Sequence, residues 1–122
     1  MPTTVYVVEP DPGERTWIQS SLGRSVDAVV FVEDGAALLA EVPDADGACL
    51  IASAERDGAA TLELVRELRC RGAMVPVIVL GSHSAFRTAV DIARLPATDF
   101  LERPVSARQL RAAVRRACPG GT

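Results

Sequence analysis

Four short segments of this chain carry the residues with the means to do chemistry: Glu9-Pro10-Asp11, Ser53, Gly81-Ser82 and Arg103-Pro104. Glu9 could ligate a hard divalent cation, which takes oxygen donors in a near-octahedral array, whereas Asp11 is better explained as a helix cap. Arg103 brings a permanent charge and a planar fork of donors that matches carboxylate or phosphate. Ser53 and Ser82 bring only neutral hydroxyls. Hydrolytic and metal chemistry of the common kinds fail on inventory. The chain has one histidine, no nucleophile elbow, no clustered metal ligands and no glycine-rich phosphate loop of the nucleotide-binding types.

The same four segments terminate apolar runs. Residues 3–8, 26–32, 48–52, 75–80 and 98–101 are short and rich in valine, isoleucine and alanine, with room for one helix between each pair. Strands alternating with helical stretches predict parallel βαβ units and a sheet covered on both faces. In such sheets the chemistry sits just past the carboxyl ends of the strands. That is where all four segments fall.

The helices are punctuated clearly. Asp11 caps the first, with Pro12 at the opening position, Glu14 three residues on, and Trp17, Ile18, Ser21 and Leu22 facing inward. Asp34-Gly35 opens a shorter helix carrying Leu38, Leu39 and Val42 and stopped near Pro43. A third buries Leu62, Val65 and Leu68 and ends around Arg71-Gly72. Ser106 and Gln109 form a capping pair ahead of Leu110, Ala113, Val114 and Ala117. The fourth helix, about residues 84–95, is different. Arg87, Asp91 and Arg94 make one polar stripe, and Phe86, Val90 and Ala93 fit an inward face. Ala85, Thr88, Ile92 and Leu95 are then left over, which predicts a second, apolar contact surface.

Composition sets the outer bounds. With 122 residues, 48% hydrophobic and 24% charged, the chain reads as one ordinary globular domain. It is expected to span residues 1–117, with 118–122 a tail or the start of a linker. The net charge of −3 argues against a general polyanion binder. All 13 basic residues are arginine, a bias that weakens arguments from any one lysine-to-arginine exchange. Cys49, Cys70 and Cys118 show no C-x-x-C spacing, and Cys49 sits in an apolar run as a small hydrophobe. No stretch approaches the roughly 20 apolar residues of a membrane span, and a cytoplasmic location is expected.

With the strand ends placed, the chain resembles the receiver domains of two-component response regulators. The resemblance runs from about residue 3 to 117. It is carried most specifically by Pro76-Val77-Ile78-Val79-Leu80 followed by Asp99-Phe100-Leu101-Glu102-Arg103-Pro104. That ending, with His83 after the fourth run, is similar to receivers of regulators that carry a helix-turn-helix output domain. The resemblance implies a flavodoxin-like α/β fold, (βα)5, with a parallel sheet of order 2-1-3-4-5 and helices on both faces. It also implies a cis bond before Pro104.

Receivers of this family take a phosphoryl group onto an aspartate after the third strand. They use two acids for Mg²⁺, a Ser/Thr after the fourth strand and a Lys after the fifth. Carried over residue by residue, Glu9 matches the first acid and Pro10 replaces the second. Asp11 is one position late, Ser53 stands at the acceptor position, Gly81 replaces the Ser/Thr with Ser82 next to it, and Arg103 replaces the Lys. A serine hydroxyl cannot form an acyl phosphate. The expectation is therefore a degenerate phosphoacceptor pocket with no catalytic residue, metal or cofactor, in which Arg103 pairs with Glu9 or Asp11. Phe100 matches the family's switch aromatic. Function is expected to pass through the face of the fourth helix, fifth strand and fifth helix, as a homodimer or partner-docking surface. Its residues are expected to be Thr88, Asp91, Ile92, Leu95, Asp99, Arg108, Arg111 and Arg115. A C-terminal DNA-binding output domain would supply transcriptional control, with neither nucleic acid nor membrane bound by this domain. Two alternatives stay open: phosphorylation at an unorthodox residue (Ser53, Ser82, Glu55 or Asp57), and a small-ligand sensor at the emptied pocket.

Overall fold

The computed structural model describes residues 3–41, 47–54, 58–82 and 86–118, the side chains of 41 and 86 aside. Five strands, β1 (Thr4–Val8), β2 (Ala28–Val32), β3 (Ala48–Ala54), β4 (Val77–Gly81) and β5 (Thr98–Glu102), alternate with five helices. The helices are α1 (Pro12–Leu22), α2 (Gly35–Glu41), α3 (Ala59–Cys70), α4 (Phe86–Ala93) and α5 (Ala107–Ala117). All strand pairings are parallel, in the order β2-β1-β3-β4-β5. This is the flavodoxin-like order expected from the resemblance.

Burial follows from that order. Every residue of β3 and β4 is buried, as strands covered on both faces require. Alternation of side chains sorts the core into two layers. Val5, Val7, Cys49, Ile51, Ile78 and Leu80 pack on Ile18 and Leu22 of α1 and Leu110, Ala113 and Val114 of α5. On the other face Leu50, Ala52, Ala54, Val77 and Val79 pack on Leu38 of α2, on Leu62, Val65 and Leu68 of α3, and on Ile92 of α4.

The predicted helix signals operate as written. Asp11 accepts from the Glu14 amide at 2.8 Å, and Asp34 accepts from the Ala37 amide at 2.9 Å. Ser106 and Gln109 close a reciprocal capping box at 3.0 and 2.8 Å. Val42 and Pro43, expected to end α2, lie outside the described residues, as do Ser84 and Ala85.

The inward face of α4 differs from the sequence expectation. Val90 is 39% exposed and Ala93 is exposed, whereas Thr88 and Ile92 are buried and Leu95 packs on the core. Thr88, Ile92 and Leu95 therefore form no spare outer surface. Turning the larger Ile92 and Leu95 inward removes more apolar area from water than Val90 and Ala93 could. Two contacts fix that register. Thr88 seats against Gly58, where a Cβ would lie 2.8 Å from its Cγ2. The Thr98 hydroxyl donates to the Ile92 and Leu95 carbonyls at 2.8 and 2.9 Å.

Candidate functional site

Register brings the strand-end residues together. Val8 is level with Ala52, so Glu9, the next residue, is level with Ser53 on the neighbouring strand. By strand alternation both side chains point to the layer shared with α1 and α5, the side to which Arg103 also turns, two residues after Leu101; the Arg103–Pro104 bond is cis. Ser53 lies inside β3 rather than after it, because the ladder continues through Ala54 to Gly81.

The three residues form one connected unit. Ser53 donates its hydroxyl to Oε1 of Glu9 at 2.6 Å, and Nη2 of Arg103 donates to Oγ of Ser53 at 2.9 Å. The same Nη2 stands 3.6 Å from Glu9 Oε1. Glu9 is only 1% exposed, so its charge requires both a cation and hydrogen-bond donors. Its second oxygen accepts from the Asp11 amide at 3.2 Å. The Arg15 guanidinium, set 5.8 Å over the Phe31 ring, donates to the Glu9 carbonyl. Thr61, at the start of α3, donates to the Ser53 carbonyl at 3.0 Å.

Of the two partners expected for Arg103, the structure selects Glu9. Asp11 is engaged as the cap of α1. A further partner escaped the sequence reading: Glu14, whose Oε2 lies 3.6 Å from Nη1 of Arg103. Its position one turn into α1, directly after a strand-end acid, was the available signal. Arg103, Glu14, Trp17, Leu80, Pro104 and Val105 also line a cleft of ≈ 480 Å³.

These residues do not fit the divalent cation that the family fold implies. Pro10 offers no side-chain oxygen, Asp11 is turned to a helix amide, and the buried oxygen of Glu9 is already taken by Ser53 and Arg103. Among the described residues no group of three or more His, Cys, Asp or Glu side chains is placed to hold a metal. Arg103 supplies the positive charge beside Glu9. Ser82 is exposed and makes contacts of its own, whereas Gly81 is buried. Glu55, Asp57 and His83 lie outside the described residues.

The expected interaction face is redrawn. Besides the burial of Thr88 and Ile92, Arg111 donates to the Ser21 carbonyl at 3.0 Å, so the Arg108–Arg111–Arg115 stripe turns toward α1 rather than α4. Helical spacing fixed the stripe but not the side of α5 that meets the sheet. Asp99 pairs within the chain, with Arg116 at 3.0 Å. Beside that pair lies a groove of ≈ 380 Å³ lined by Leu95, Ala97, Thr98, Ala113 and Ala117 among others. Asp91 is half-buried, and Arg108 and Arg115 are exposed.

Comparison with known proteins matches this geometry to one family. A model described as the response regulator receiver domain matches residues 5–115. The chain is 35% identical over 111 residues to the transcriptional regulatory protein FixJ of Azorhizobium caulinodans, covering 91% of this chain and 53% of that protein. It is 33% identical over 106 residues to the C4-dicarboxylate transport transcriptional regulatory protein DctR of Rhodobacter capsulatus, covering 85% and 54% respectively. The crystal structure of FixJ-N superposes with a TM-score of 0.83 at 26% identity, over 96% of this chain and 94% of that one. The chain spans about half the length of these curated relatives. Because the match begins in β1 and ends within α5, it takes in every strand end described above, and the chain belongs to the response regulator receiver domain family.

Proposed function

We propose that this receiver domain takes no phosphoryl group at its third strand and acts as a non-enzymatic signalling module with a closed strand-end site. The observation that carries this reading is the Arg103–Ser53–Glu9 bridge. Phosphoryl transfer onto a receiver needs a carboxylate nucleophile and cations free to take up charge on the transferred group. Here the position of the nucleophile is a hydroxyl, and the available cation is spent on the neighbouring carboxylate. Signalling then depends on association. The face of α4, β5 and α5, with the groove beside Asp99 and Arg116, docks a second copy or a protein partner, and an output domain in the parent polypeptide converts this into transcriptional control. The transcriptional names of the relatives support that step. Among the described residues no helix is long and apolar enough to cross a membrane.

Incubation with acetyl phosphate and Mg²⁺, followed by intact-mass measurement, tests the central claim. No added mass is expected. A retained phosphate mapped to Ser53, Ser82, Glu55 or Asp57 sinks it and establishes the unorthodox-acceptor reading. A small-ligand sensor is the second reading, favoured by a cavity of ≈ 270 Å³ beside the strand ends, lined by Pro10, Glu33, Asp34, Ser53, Ala60 and Leu64 among others. A ligand seated there raises the melting temperature of the wild type but not of a cavity-filling Ala60→Leu variant.

A further inference from the structure

Gly81 ends β4 on the face opposite the bridge, level with Ala54 and Glu102. A Cβ built on it would lie 2.5 Å from Cζ of Phe100 and 3.0 Å from Cε2. A real Cβ essentially never comes within 3.0 Å of a non-bonded heavy atom. The Phe100 ring thus occupies the volume of the side chain that residue 81 lacks. Backbone conformation does not require glycine there: the positive-φ glycines of the described chain are Gly23, Gly47, Gly58 and Gly72. What a side chain at 81 would meet is the tip of the Phe100 ring.

The arrangement reaches further. The same hypothetical Cβ would stand 3.3 Å from Cβ of Ala54, and a Cβ on Gly58 would stand 3.2 Å from that same Ala54 atom. Ala54 therefore lies between two glycine sockets. One is filled by Phe100 from β5 and the other by Thr88 from α4. Ser53, held by Arg103 and Glu9, is its neighbour on β3 and faces the opposite layer. Phe100 itself packs on the cluster that contains Val79 and Ile92.

We propose that Phe100 is a permanent plug in the Gly81 socket, fixing β5 and α4 in one arrangement. With the ring where it stands, a Cβ at position 81 has no room, so a side chain there must displace Phe100. The α4–β5–α5 face is consequently set by packing and not by events at the strand ends. This rests on the proposed role of that face, and it supplies the reason the face needs no phosphoryl group to take its shape.

A double-mutant cycle on the full chain tests the plug. Replacing glycine by alanine inside a strand ordinarily stabilises, since alanine loses less backbone freedom on folding. Here Gly81→Ala is expected to lower the melting temperature by about 4–8 °C. In a Phe100→Ala background the same change is expected to be neutral or to raise it. A second readout keeps the test independent of stability: in wild type, nuclear Overhauser contacts join the Phe100 ring protons to the Gly81 α-protons. In Gly81→Ser the ring loses its contacts with residue 81 and Val79. Equal melting shifts in both backgrounds, or ring contacts unchanged in Gly81→Ser, overturn the plug. Phosphate incorporation in the mass assay bears on Ser53 alone, so the closed-site reading and the plug can fail separately.

Discussion

Oγ of Ser53 stands 2.6 Å from Oε1 of Glu9 and 2.9 Å from Nη2 of Arg103, so one hydroxyl joins a buried carboxylate to its counter-ion. The guanidinium crosses β4 and β3 to reach β1, and Ser53 is the stepping stone. A hydroxyl is suited to this place because it can donate to the acid and accept from the base at once. A carboxylate there would compete with Glu9 for the same cation.

Removing the stepping stone has a defined cost. Ser53→Ala leaves one oxygen of the buried Glu9 carboxylate short of a donor, and a stranded buried acceptor costs about 1–3 kcal/mol. Arg103→Gln removes the charge and is expected to cost a similar amount. The two are expected to be non-additive, because each breaks the same unit. Glu14→Gln serves as the control. Its carboxylate is 42% exposed and 3.6 Å from the guanidinium, an arrangement worth about 0–1 kcal/mol. Urea unfolding of the three single variants and the Ser53–Arg103 double variant measures all of this. Additive losses at 53 and 103 would dissolve the unit into two unrelated contacts.

Stability is also expected to fall in alkali through two buried thiols. Cys49 of β3 and Cys118 at the end of α5 are neighbours within one core layer. Burial pushes the Cys49 thiol well up, helped by its neighbour Cys118. Burial also raises Cys118, partly offset by its neighbour Cys49. Thiols ionise near pH 9.0 in the unfolded chain, and in the folded chain burial holds both above that, Cys49 much the further. Above that pH the unfolded state binds fewer protons, so stability is complete below it and declines as pH rises. The limiting slope is about 1.4 kcal/mol per pH unit for a thiol that ionises only in the unfolded chain, the case Cys49 approaches. Urea midpoints measured from about pH 8 to pH 10 check the decline. Cys49→Ala should flatten it. In the same pH range a thiol reagent should modify exposed Cys70 in the native protein and reach the other two only on unfolding.

Much of this was written plainly in the residues. Apolar runs at even spacing fixed five parallel strands, Asp11 and Ser106 announced their helices, and the strand ends delivered Glu9, Ser53 and Arg103 to one place. What stayed hidden has a common cause. The outward face of α4 could not be read because apolar residues surround most of that helix, leaving the choice to tertiary burial of Ile92 and Leu95. The Arg108–Arg111–Arg115 stripe was correct as a stripe, but which way α5 rolls depends on Leu110 and Val114 meeting the sheet. The Phe100–Gly81 contact depends on register between β4 and β5, which no local pattern encodes.

If the site is closed because its acids are missing, returning them should reopen it in a set order. Ser53→Asp alone restores a carboxylate nucleophile beside Glu9, and Arg103 can divide itself between the two, so the variant should fold. It still lacks a second metal-ligating acid, because Pro10 offers no side-chain oxygen. Mg²⁺ binds through carboxylates and gives up its waters reluctantly, so a site poor in acids holds it weakly. Ser53→Asp is therefore expected to show no more phosphate incorporation from acetyl phosphate than wild type. Pro10 is exposed, and aspartate in its place meets no packing constraint. Combining Pro10→Asp with Ser53→Asp should yield an Mg²⁺-dependent adduct, seen as a phosphate mass lost on treatment with hydroxylamine, the behaviour of an acyl phosphate. Incorporation by Ser53→Asp alone would mean that position 53 is the whole barrier and that Pro10 is incidental. Failure of the double variant, if it folds, would place the barrier at Arg103, whose charge then blocks the metal rather than replacing it.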